Sequence, residues 1–221
     1  MDRREFLKKL SSISIITASS LVLPRVNNLF SKSKYDKKYK SHSLPFDLVA
    51  LRGQTPDKLF DEGIKVLGGM KKFVKKGQTV VVKPNIGWAK GPEYGANTQP
   101  ILVKRIVEHV MNAGAKKVYV FDHSASSQYS AYSESGIKKA AELAGAKIIP
   151  ANRERYYQTV KIPGAKTLTK VKIHEQILAA DVVINVPVLK HHGGATLTSA
   201  MKNLMGIVWN RPSWHWKGLH S

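Results

Sequence analysis

Stretches of apolar, β-branched residues alternate with helical apolar stripes along most of the chain. The clearest apolar stretch, residues 79–83, predicts a strand, and three further strands are predicted at 117–122, 147–150 and 181–186. Apolar residues recur at helical spacing in four segments, which are 55–67, 101–112, 134–144 and 173–180. This alternation predicts an α/β fold with a parallel or mixed sheet and helices on both faces.

The pattern is weaker in three other segments. Residues 46–52 are a plausible first strand, and residues 159–162 are a plausible edge strand. Residues 84–100 contain several glycines and prolines, which predicts a long loop without regular structure. Long loops of this kind in compact domains are usually either functional or disordered.

Residues 181–208 carry the most informative pattern. The strand at 181–186 is followed by Pro187, which lacks a backbone donor and predicts that regular pairing ends there. Residues 190–194 then predict a polar, glycine-rich loop beyond the carboxyl end of the strand, where open α/β sheets bind ligands. A helix is predicted from Thr196, and its core-facing stripe consists of Leu197, Met201, Leu204, Met205 and Val208.

The chain is strongly basic, with 36 lysines and arginines against 15 acidic residues and a net charge of +21. Residues 1–40 contain ten basic and three acidic side chains, so the remainder has a net charge of +14. Such a body attracts phosphates, carboxylates, anionic lipid or nucleic acid nonspecifically, although scattered lysines are most often simply solvated. No motif for specific recognition of nucleic acid is present.

The absence of cysteine excludes several kinds of site within this chain. Disulfides, a cysteine nucleophile, thiolate metal sites and a cysteine-ligated iron–sulfur cluster are all ruled out. The sequence also lacks the G-x-x-x-x-G-K-[ST] and G-x-G-x-x-G loops, so neither familiar nucleotide-binding loop is present. A G-x-S-x-G nucleophile elbow is absent too. The sequence therefore names no cofactor.

Residues 1–24 resemble a twin-arginine export signal. Arg3-Arg4 is followed by Phe6-Leu7-Lys8 and by a modest apolar region at 13–23, which is too short and polar to predict a membrane span. The segment is either cleaved or retained as a weak anchor. Residues 25–43 are rich in lysine, serine and tyrosine and predict a mobile tether that could touch anionic lipid. We expect a periplasmic or otherwise extracytoplasmic protein, which the twin-arginine machinery exports after residues 44–221 have folded.

Two motifs carry a resemblance to a known family. The first is VVKPN at 81–85, and the second is NVPVLKHH at 185–192 followed by SAMKNLMG at 199–206. Together they resemble the DUF362 family, a set of α/β proteins without an assigned common activity, over about residues 46–219. Family members often have threonine between the lysine and the histidine; here His191 takes that place, so the usual histidine matches His192. The resemblance implies a fold and a candidate site but no reaction.

The family resemblance also bears on what this chain lacks. Many members carry a ferredoxin-like cysteine-rich module, and cluster-based electron transfer cannot be carried over to a chain without cysteine. Members commonly extend beyond the final motif, and residues 209–220 are rich in tryptophan and histidine. We therefore expect that the natural protein continues past Ser221, and that residues 44–221 alone are marginally stable.

Three predicted strand exits bring polar groups to one edge of the sheet, because all parallel strands end on the same edge. Lysines beside a glycine-rich turn suit an anion, and a lysine among other lysines can have a lowered pKa and act as a base or nucleophile. The candidate catalytic residues are Lys83, Lys190 and Asp122. The candidate ligand-binding residues are Asn85, Asn185, His191, His192, Gly193, Gly194, Lys202 and Asn203.

Other interpretations remain open at this point. Lys83 and Lys190 could be ordinary strand-end lysines with solvated ammonium groups, and Asn85 could cap its own turn. A metal-dependent enzyme would use His192 and Asp122, with His123 or His191 assisting, although neighbouring lysines disfavour a cation. A noncatalytic, envelope-associated protein would bind anionic lipid or polymer. The sequence does not decide between an enzyme and a binding protein, and it identifies neither the substrate nor the oligomeric state.

Overall fold

The computed structural model describes residues 46–165 and 168–212 of the 221-residue chain. Its strands are β1 (Thr79–Pro84), β2 (Lys117–Val120), β3 (Lys147–Ile148), β4 (Tyr157–Lys161), β5 (Lys170–His174), β6 (Val182–Val186), β7 (Lys190–His192) and β8 (Thr196–Thr198). Its α-helices are α1 (Pro56–Val66), α2 (Pro100–Asn112), α3 (Gln128–Glu134), α4 (Ile137–Leu143), α5 (Glu175–Ala179) and α6 (Ala200–Asn203). The predicted α/β class is confirmed.

The main sheet contains four parallel strands in the order β3-β2-β1-β6. The central strand is β1, whose Val80 pairs with Val118 on β2 and with Val182 on β6. Because successive residues of a strand point to opposite faces, Val80 and Val82 lie on one face of the sheet and Lys83 lies on the other. The loops that follow β1, β2 and β6 therefore leave the sheet at a common carboxyl edge.

Helices α1 to α4 cover the face on which Val80 and Val82 lie, and α3 contributes Ala131 and Tyr132. Helix α2 packs against both α1 and α4. Pro56 and Pro100 occupy the first turns of α1 and α2, where a missing backbone N–H costs nothing. The buried residues of α2 are Val103, Ile106, Val107 and Val110, as the apolar stripe predicts.

The helix predicted at 134–144 is confirmed as α4, which begins three residues later than predicted, at Ile137, whereas the separate helix α3 before it was not predicted. Gly136 has a left-handed φ of 71°, and it separates α3 from α4. Helix α3 begins at Gln128 and buries Ala131 and Tyr132. Serines and polar aromatic residues give α3 no clear apolar period, which is why its sequence does not predict it.

The opposite face of the sheet is covered mainly by a separate antiparallel hairpin, β4–β5. Helix α5 and a 3₁₀ turn at Leu204–Ile207 complete this cover. Val81 and Phe121 are fully buried beneath it, together with Tyr157 of β4. This face therefore carries much less helix than the face covered by α1 to α4.

Two predictions in this covering layer need correction. The edge strand predicted at 159–162 belongs to β4, which pairs with β5 and not with the main sheet. The helix predicted at 173–180 begins only at Glu175, because Ile173 and His174 continue β5. The sequence of β5 alternates lysine with apolar residues, which is typical of a strand. The helix prediction wrongly included its last two residues, Ile173 and His174.

The strand predicted at 46–52 is also wrong, since these residues form no regular strand. Phe46, Leu48 and Leu51 are exposed, and the Leu51 side chain lies against α1 beside Gly63. Apolar content alone does not distinguish a sheet strand from an extended segment that runs along a helix.

A second antiparallel hairpin, β7–β8, replaces the predicted loop and the start of the predicted helix at Thr196. Lys190 pairs with Thr198, and His191 pairs with Leu197. Gly193 and Gly194 lie where the chain reverses. Thr196 has a left-handed φ of 58° at the start of β8. The β-branched Thr198 then favours an extended backbone, and helix α6 begins only at Ala200.

Of the apolar stripe predicted for a helix from Thr196, only the carboxyl-terminal residues pack into the core. Met205 and Val208 are buried, and Leu204 is half-buried. Leu197 and Met201 are exposed, because they lie on the hairpin and on the outer side of α6. The expectation that the whole stripe packs into the core is therefore wrong.

Several expectations fall on residues outside the described ranges. These are the export signal at 1–24, the tether at 25–43 and most of the tryptophan-rich end. Among the helices at 46–165 and 168–212, none combines the length and the apolar character needed to cross a bilayer.

Candidate functional site

The polar groups predicted at the carboxyl edge of the sheet do meet there. Lys83 on β1 is in register with Asn185 on β6, so the two residues are direct neighbours. Asp122 follows β2, and Asn203 ends α6. These four side chains form one connected polar network, described below, beneath the 3₁₀ turn that follows α6.

A buried ion pair between Lys83 and Asp122 lies at the centre of the network. The Lys83 side chain is 0% exposed, and its Nζ lies 2.8 Å from Asp122 Oδ1. Lys83 Nζ also donates to the carbonyl oxygen of Pro84 (2.7 Å) and to Asn203 Oδ1 (2.9 Å). The ammonium group thus has one ion-pair contact and two hydrogen bonds. Burial lowers the pKa of Lys83, and the Asp122 carboxylate opposes that shift.

Hydrogen bonds from Ile86 and Tyr132 hold the Asp122 residue in place. Its Oδ2 accepts a hydrogen bond from the backbone N–H of Ile86 (2.7 Å). The hydroxyl of Tyr132 on α3 donates to the backbone oxygen of Asp122 (2.8 Å) and accepts from its N–H (2.6 Å). Tyr132 was not predicted as a site residue, because α3 itself was missed.

Gly206 closes the network from above. A Cβ atom at this position would overlap Asp122 Oδ1 and would lie only 2.8 Å from Lys83 Nζ. The glycine is required here because the ion pair packs directly against its Cα atom. Its backbone oxygen also accepts a hydrogen bond from the N–H of His123 (3.0 Å), which ties the turn to the exit of β2.

Asn203 joins the ion pair to β6. Its Nδ2 donates to Asn185 Oδ1 (2.8 Å) and to the backbone oxygen of Lys83 (3.2 Å). Asn185 Nδ2 in turn donates to the backbone oxygen of Ala200 (2.9 Å), at the start of α6. Asn203 is only 3% exposed. Both asparagines therefore have structural partners, and Asn185 keeps the more accessible position.

Lys190 lies nearer the surface and contacts the long loop after β1. Its Nζ donates to Asn85 Oδ1 (2.9 Å) and, through a short contact, to the backbone oxygen of Ala96. Partial burial lowers the pKa of Lys190; the Asp122 carboxylate raises it and the positive charge of Lys202 lowers it further. Lys190 is therefore a half-buried cation within the electrostatic range of the ion pair.

Two more cations belong to the same region. Burial and the charge of Arg211 lower the pKa of Lys202. Arg211 donates from its two terminal nitrogens to the backbone oxygens of His123 (2.6 Å) and Ser124 (2.7 Å). Its charge also acts on Lys83. Arg211 was not predicted; its only sequence signal is a basic residue just after the buried Leu204–Ile207 turn.

A long loop is confirmed between β1 and α2, although it contains a short 3₁₀ turn at Pro92–Tyr94. Two polar residues that were not predicted hold it in place. Asn97 Oδ1 accepts from the N–H of Trp88, and its Nδ2 donates to the backbone oxygens of Trp88 and Lys90. Thr98 donates from its hydroxyl to the backbone oxygen of Val186 (2.8 Å) at the end of β6. These contacts place the loop beside Lys190.

The adjacent histidines take different positions on the β7–β8 hairpin. His191 is exposed on the outer face, whereas His192 turns inward and its Nδ1 accepts from the N–H groups of Gly194 and Ala195 (both 3.1 Å). Gly193 and Gly194 belong to the hairpin turn and not to a helix N-terminus. The glycine-rich loop that was predicted to lead into a helix at Thr196 is thus replaced by a hairpin.

The structure does not gather the residues of the metal hypothesis into one cluster. Across 46–165 and 168–212, no group of three or more histidine, aspartate or glutamate side chains is placed to hold an ion. Asp122 is engaged by Lys83 and Ile86, and His192 accepts from its own hairpin turn. His123 stacks on Trp209, with ring centroids 5.0 Å apart and planes 7° from parallel.

A buried histidine at the end of β5 was not predicted from the sequence. His174 is 1% exposed, and its ring lies 4.1 Å from the ring of Phe121. Its Nδ1 accepts from the N–H of Gln176 (3.2 Å) at the start of α5, which leaves Nε2 to donate to the backbone oxygen of Pro150 (3.0 Å). His174 is therefore a neutral structural residue, and burial lowers its pKa.

Comparison with known proteins identifies the family. A family model described as "Domain of unknown function (DUF362)" matches residues 80–221, which include every site residue named above. The chain belongs to the DUF362 family. A thylakoid-associated protein of Synechocystis sp. is 29% identical over 145 residues, which are 66% of this chain and 44% of that protein. This DUF362 chain thus spans less than half the length of that curated relative, and no solved structure matches it.

Proposed function

We propose that this DUF362 protein binds a small anionic ligand, with a phosphate or carboxylate group, at the carboxyl edge of its main sheet. The half-buried cations Lys190 and Lys202 would contact the anion, with Arg211 adding positive charge nearby. Asn85 and Asn185 are the amide groups available beside them. The Lys83–Asp122 pair would serve as a rigid floor, because it is buried and held by hydrogen bonds to Pro84, Ile86 and Asn203.

The excess of positive charge in a partly desolvated region carries this proposal. Four cations, Lys83, Lys190, Lys202 and Arg211, influence one another there, and Asp122 is the carboxylate that acts on three of them. Burial lowers the pKa of each of these cations, and neighbouring positive charge lowers the pKa of Lys83, Lys190 and Lys202 further. A bound anion would offset the cost of burying these charges and their mutual repulsion. The arrangement that lowers the pKa values of the cations therefore favours anion binding.

A thermal-shift titration of the full chain with inorganic phosphate tests the proposal. Phosphate at about ten times its dissociation constant would add about 1.4 kcal/mol to the free energy of unfolding. In a domain of this size, that gain corresponds to a rise of roughly 3–6 °C in Tm. We expect this rise for the wild-type chain and its loss in a Lys190→Ala/Lys202→Ala variant.

A matched control separates a site from general attraction to a basic protein. Lys138→Ala/Lys139→Ala removes the same charge from the exposed surface of α4 and should keep the full phosphate response. Sodium chloride at equal ionic strength accounts for screening. If both double variants respond to phosphate as the wild-type chain does, the proposed site is wrong.

Export by the twin-arginine pathway belongs to the same proposal. Its support is the Arg3-Arg4-Glu5-Phe6-Leu7-Lys8 sequence at the N-terminus. Replacing Arg3-Arg4 by Lys-Lys should stop export of the full protein and leave its Tm unchanged. An unaltered distribution between cell fractions would contradict this part.

A second candidate function is association with an anionic membrane. The thylakoid association of the relative from Synechocystis sp. favours it, as do the net charge of +14 after residue 40 and the basic tether. Binding of the full chain to anionic vesicles, compared with neutral vesicles, tests this function. Equal recovery with both kinds of vesicle would argue against it.

A further inference from the structure

The two faces of the β7–β8 hairpin differ in character. Because strand residues alternate, the paired residues Lys190 and Thr198 lie on the inner face, and Leu189, His191 and Leu197 lie on the outer face. Thr198 is buried and Lys190 is half-buried, whereas Leu189 is 73% exposed and Leu197 is 39% exposed. The hairpin therefore presents apolar side chains to the outside and a cation to the site.

Helix α6 extends the outer face. Met201 is 77% exposed, and α6 packs against β8. Leu189, Leu197 and Met201 form what we call the outer apolar surface, and they lie within a segment of 13 residues. Single exposed apolar side chains are ordinary on a soluble protein, but a group of large ones on one small element marks an interaction surface.

In the segment that contains the outer apolar surface, all charged side chains are positive. From residue 182 to residue 212 the chain contains Lys190, Lys202 and Arg211 but no aspartate or glutamate. Apolar side chains flanked by cations, without carboxylates, match a bilayer surface that carries anionic headgroups above an apolar interior. Lys202 directly follows Met201, so its ammonium group can stay at headgroup level while Met201 enters deeper.

The size of this surface favours a membrane over a protein partner. A stable protein–protein interface buries about 800 Å² on each partner and draws on some 20–30 residues per side. Three side chains on a short hairpin supply far less. Interfacial membrane binding, in contrast, adds a few inserted apolar side chains to a broad electrostatic attraction, and residues 41–221 have a net charge of +14.

We propose that the outer apolar surface docks this protein onto anionic membranes, with Leu189, Leu197 and Met201 at the boundary between headgroups and acyl chains. The proposal rests on the second candidate function above and assigns its docking surface within the folded body. It does not require a ligand at Lys190. Docking in this orientation places the carboxyl edge of the main sheet next to the membrane.

Co-sedimentation of the full chain with vesicles tests the proposal. Vesicles of phosphatidylcholine with one-third phosphatidylglycerol are compared with vesicles of phosphatidylcholine alone. A Leu189→Ser/Leu197→Ser/Met201→Ser variant should lose about tenfold in affinity for the anionic vesicles, since each buried apolar group contributes to insertion. The signal segment and the tether are identical in the wild-type chain and in every variant, so a difference in vesicle binding must come from the folded body.

Two control variants sharpen the comparison. Leu143→Ser/Leu178→Ser/Met111→Ser removes the same residue types from other surfaces, where these residues are 70%, 37% and 38% exposed. It should bind like the wild-type chain. A second control replaces four exposed lysines by alanine. These lysines precede β1 at the amino edge of the sheet, and they are Lys71, Lys72, Lys75 and Lys76. It should lower the affinity much less than the outer-surface variant does.

Each outcome has a distinct meaning. Equal binding by the wild-type chain and the outer-surface variant overturns the docking surface and assigns membrane association to the tether. A larger loss in the amino-edge lysine variant also overturns it, in favour of that edge. Conversion of a wild-type dimer to a monomer by the outer-surface variant assigns the surface to a second copy instead. No vesicle binding by any chain removes both membrane proposals, while the phosphate titration separately decides the anion site.

Discussion

At the scale of single residues, the Lys83–Asp122 pair makes the strongest prediction. Asp122→Asn would leave the Lys83 ammonium without a counter-charge at a fully buried position. We expect the free energy of unfolding to fall by about 3–5 kcal/mol, the usual cost of breaking a buried ion pair. Urea denaturation measures this directly.

A double-mutant cycle controls for simple loss of packing. Lys83→Met/Asp122→Asn removes both charges, so its cost should be clearly smaller than the sum of the costs of Lys83→Met and Asp122→Asn alone. Additive costs, within about 0.5 kcal/mol, would show that the pair does not act as a unit.

Gly206 gives a prediction about close packing. In Gly206→Ala the new methyl group meets Asp122 Oδ1 and Lys83 Nζ, which are both fixed by other contacts. We expect a loss of about 1–3 kcal/mol in unfolding free energy, as for overpacked cores. Gly91→Ala is a matched control, because its methyl group meets only the flexible carboxylate of the exposed Glu93. Similar stability of the two variants would contradict this account of Gly206.

His174 predicts a pH dependence of stability. Its pKa in the folded protein lies below the ordinary value, so the unfolded chain takes up a proton first as the pH falls. The contribution of neutral His174 is therefore complete above about pH 6.5 and declines below it, by up to about 1.4 kcal/mol per pH unit. Urea denaturation at pH 7.5 and 5.5 should show a larger loss for the wild-type chain than for His174→Asn. Equal losses would mean that His174 does not titrate in this way.

The residues of the site differ in how far the sequence could identify them. Lys83, Asp122 and Lys190 were predicted because each stands at the exit of a recognisable strand. The burial of Lys83 was not predictable, since it depends on Gly206 folding over the ion pair from 123 residues farther along the chain. Arg211 and His174 lie outside any motif, and their roles depend on contacts with distant backbone oxygens.

At the scale of elements, the hairpin β7–β8 shows where a pattern misleads. Apolar residues at 197, 201, 204, 205 and 208 have helical spacing, yet residues 196–198 form a strand. The glycine turn at 193–194 and the pairing of Leu197 and Thr198 with β7 outweigh that spacing. The long, strongly periodic helix α2 had no such conflict, and its predicted start differs from the observed start by one residue.

The long loop at 84–100 also predicts a measurable behaviour of an element. Asn97 is 4% exposed and holds the backbone of Trp88 and Lys90. Asn97→Ala should leave these groups unpaired and lower the local opening free energy by about 1–3 kcal/mol. Hydrogen exchange at the Trp88 amide should accelerate accordingly, while the exposed Asn112→Ala leaves it unchanged. An unchanged rate in Asn97→Ala would show that other contacts hold the loop.

At the scale of the whole molecule, the parallel sheet and its helical face followed from the alternation of strands and helices. The cover of the opposite face did not, because β4, β5 and the 3₁₀ turn have short, mixed patterns that gain stability only against Val81 and Phe121. The positive charge was evident from composition. The clustering of four cations around Asp122 at the carboxyl edge of the sheet could not be predicted from the sequence, because it depends on how the chain folds.

The most direct test of the anion site is a phosphate titration of the full chain followed through lysine side-chain NMR signals. Lys190→Arg and Lys202→Arg variants assign the two signals, and Lys138 and Lys139 serve as internal controls. Phosphate should shift the Lys190 and Lys202 signals saturably and raise the lowered pKa of Lys190 toward its ordinary value. Signals that all move alike with ionic strength, or no change at Lys190 and Lys202, would contradict the account.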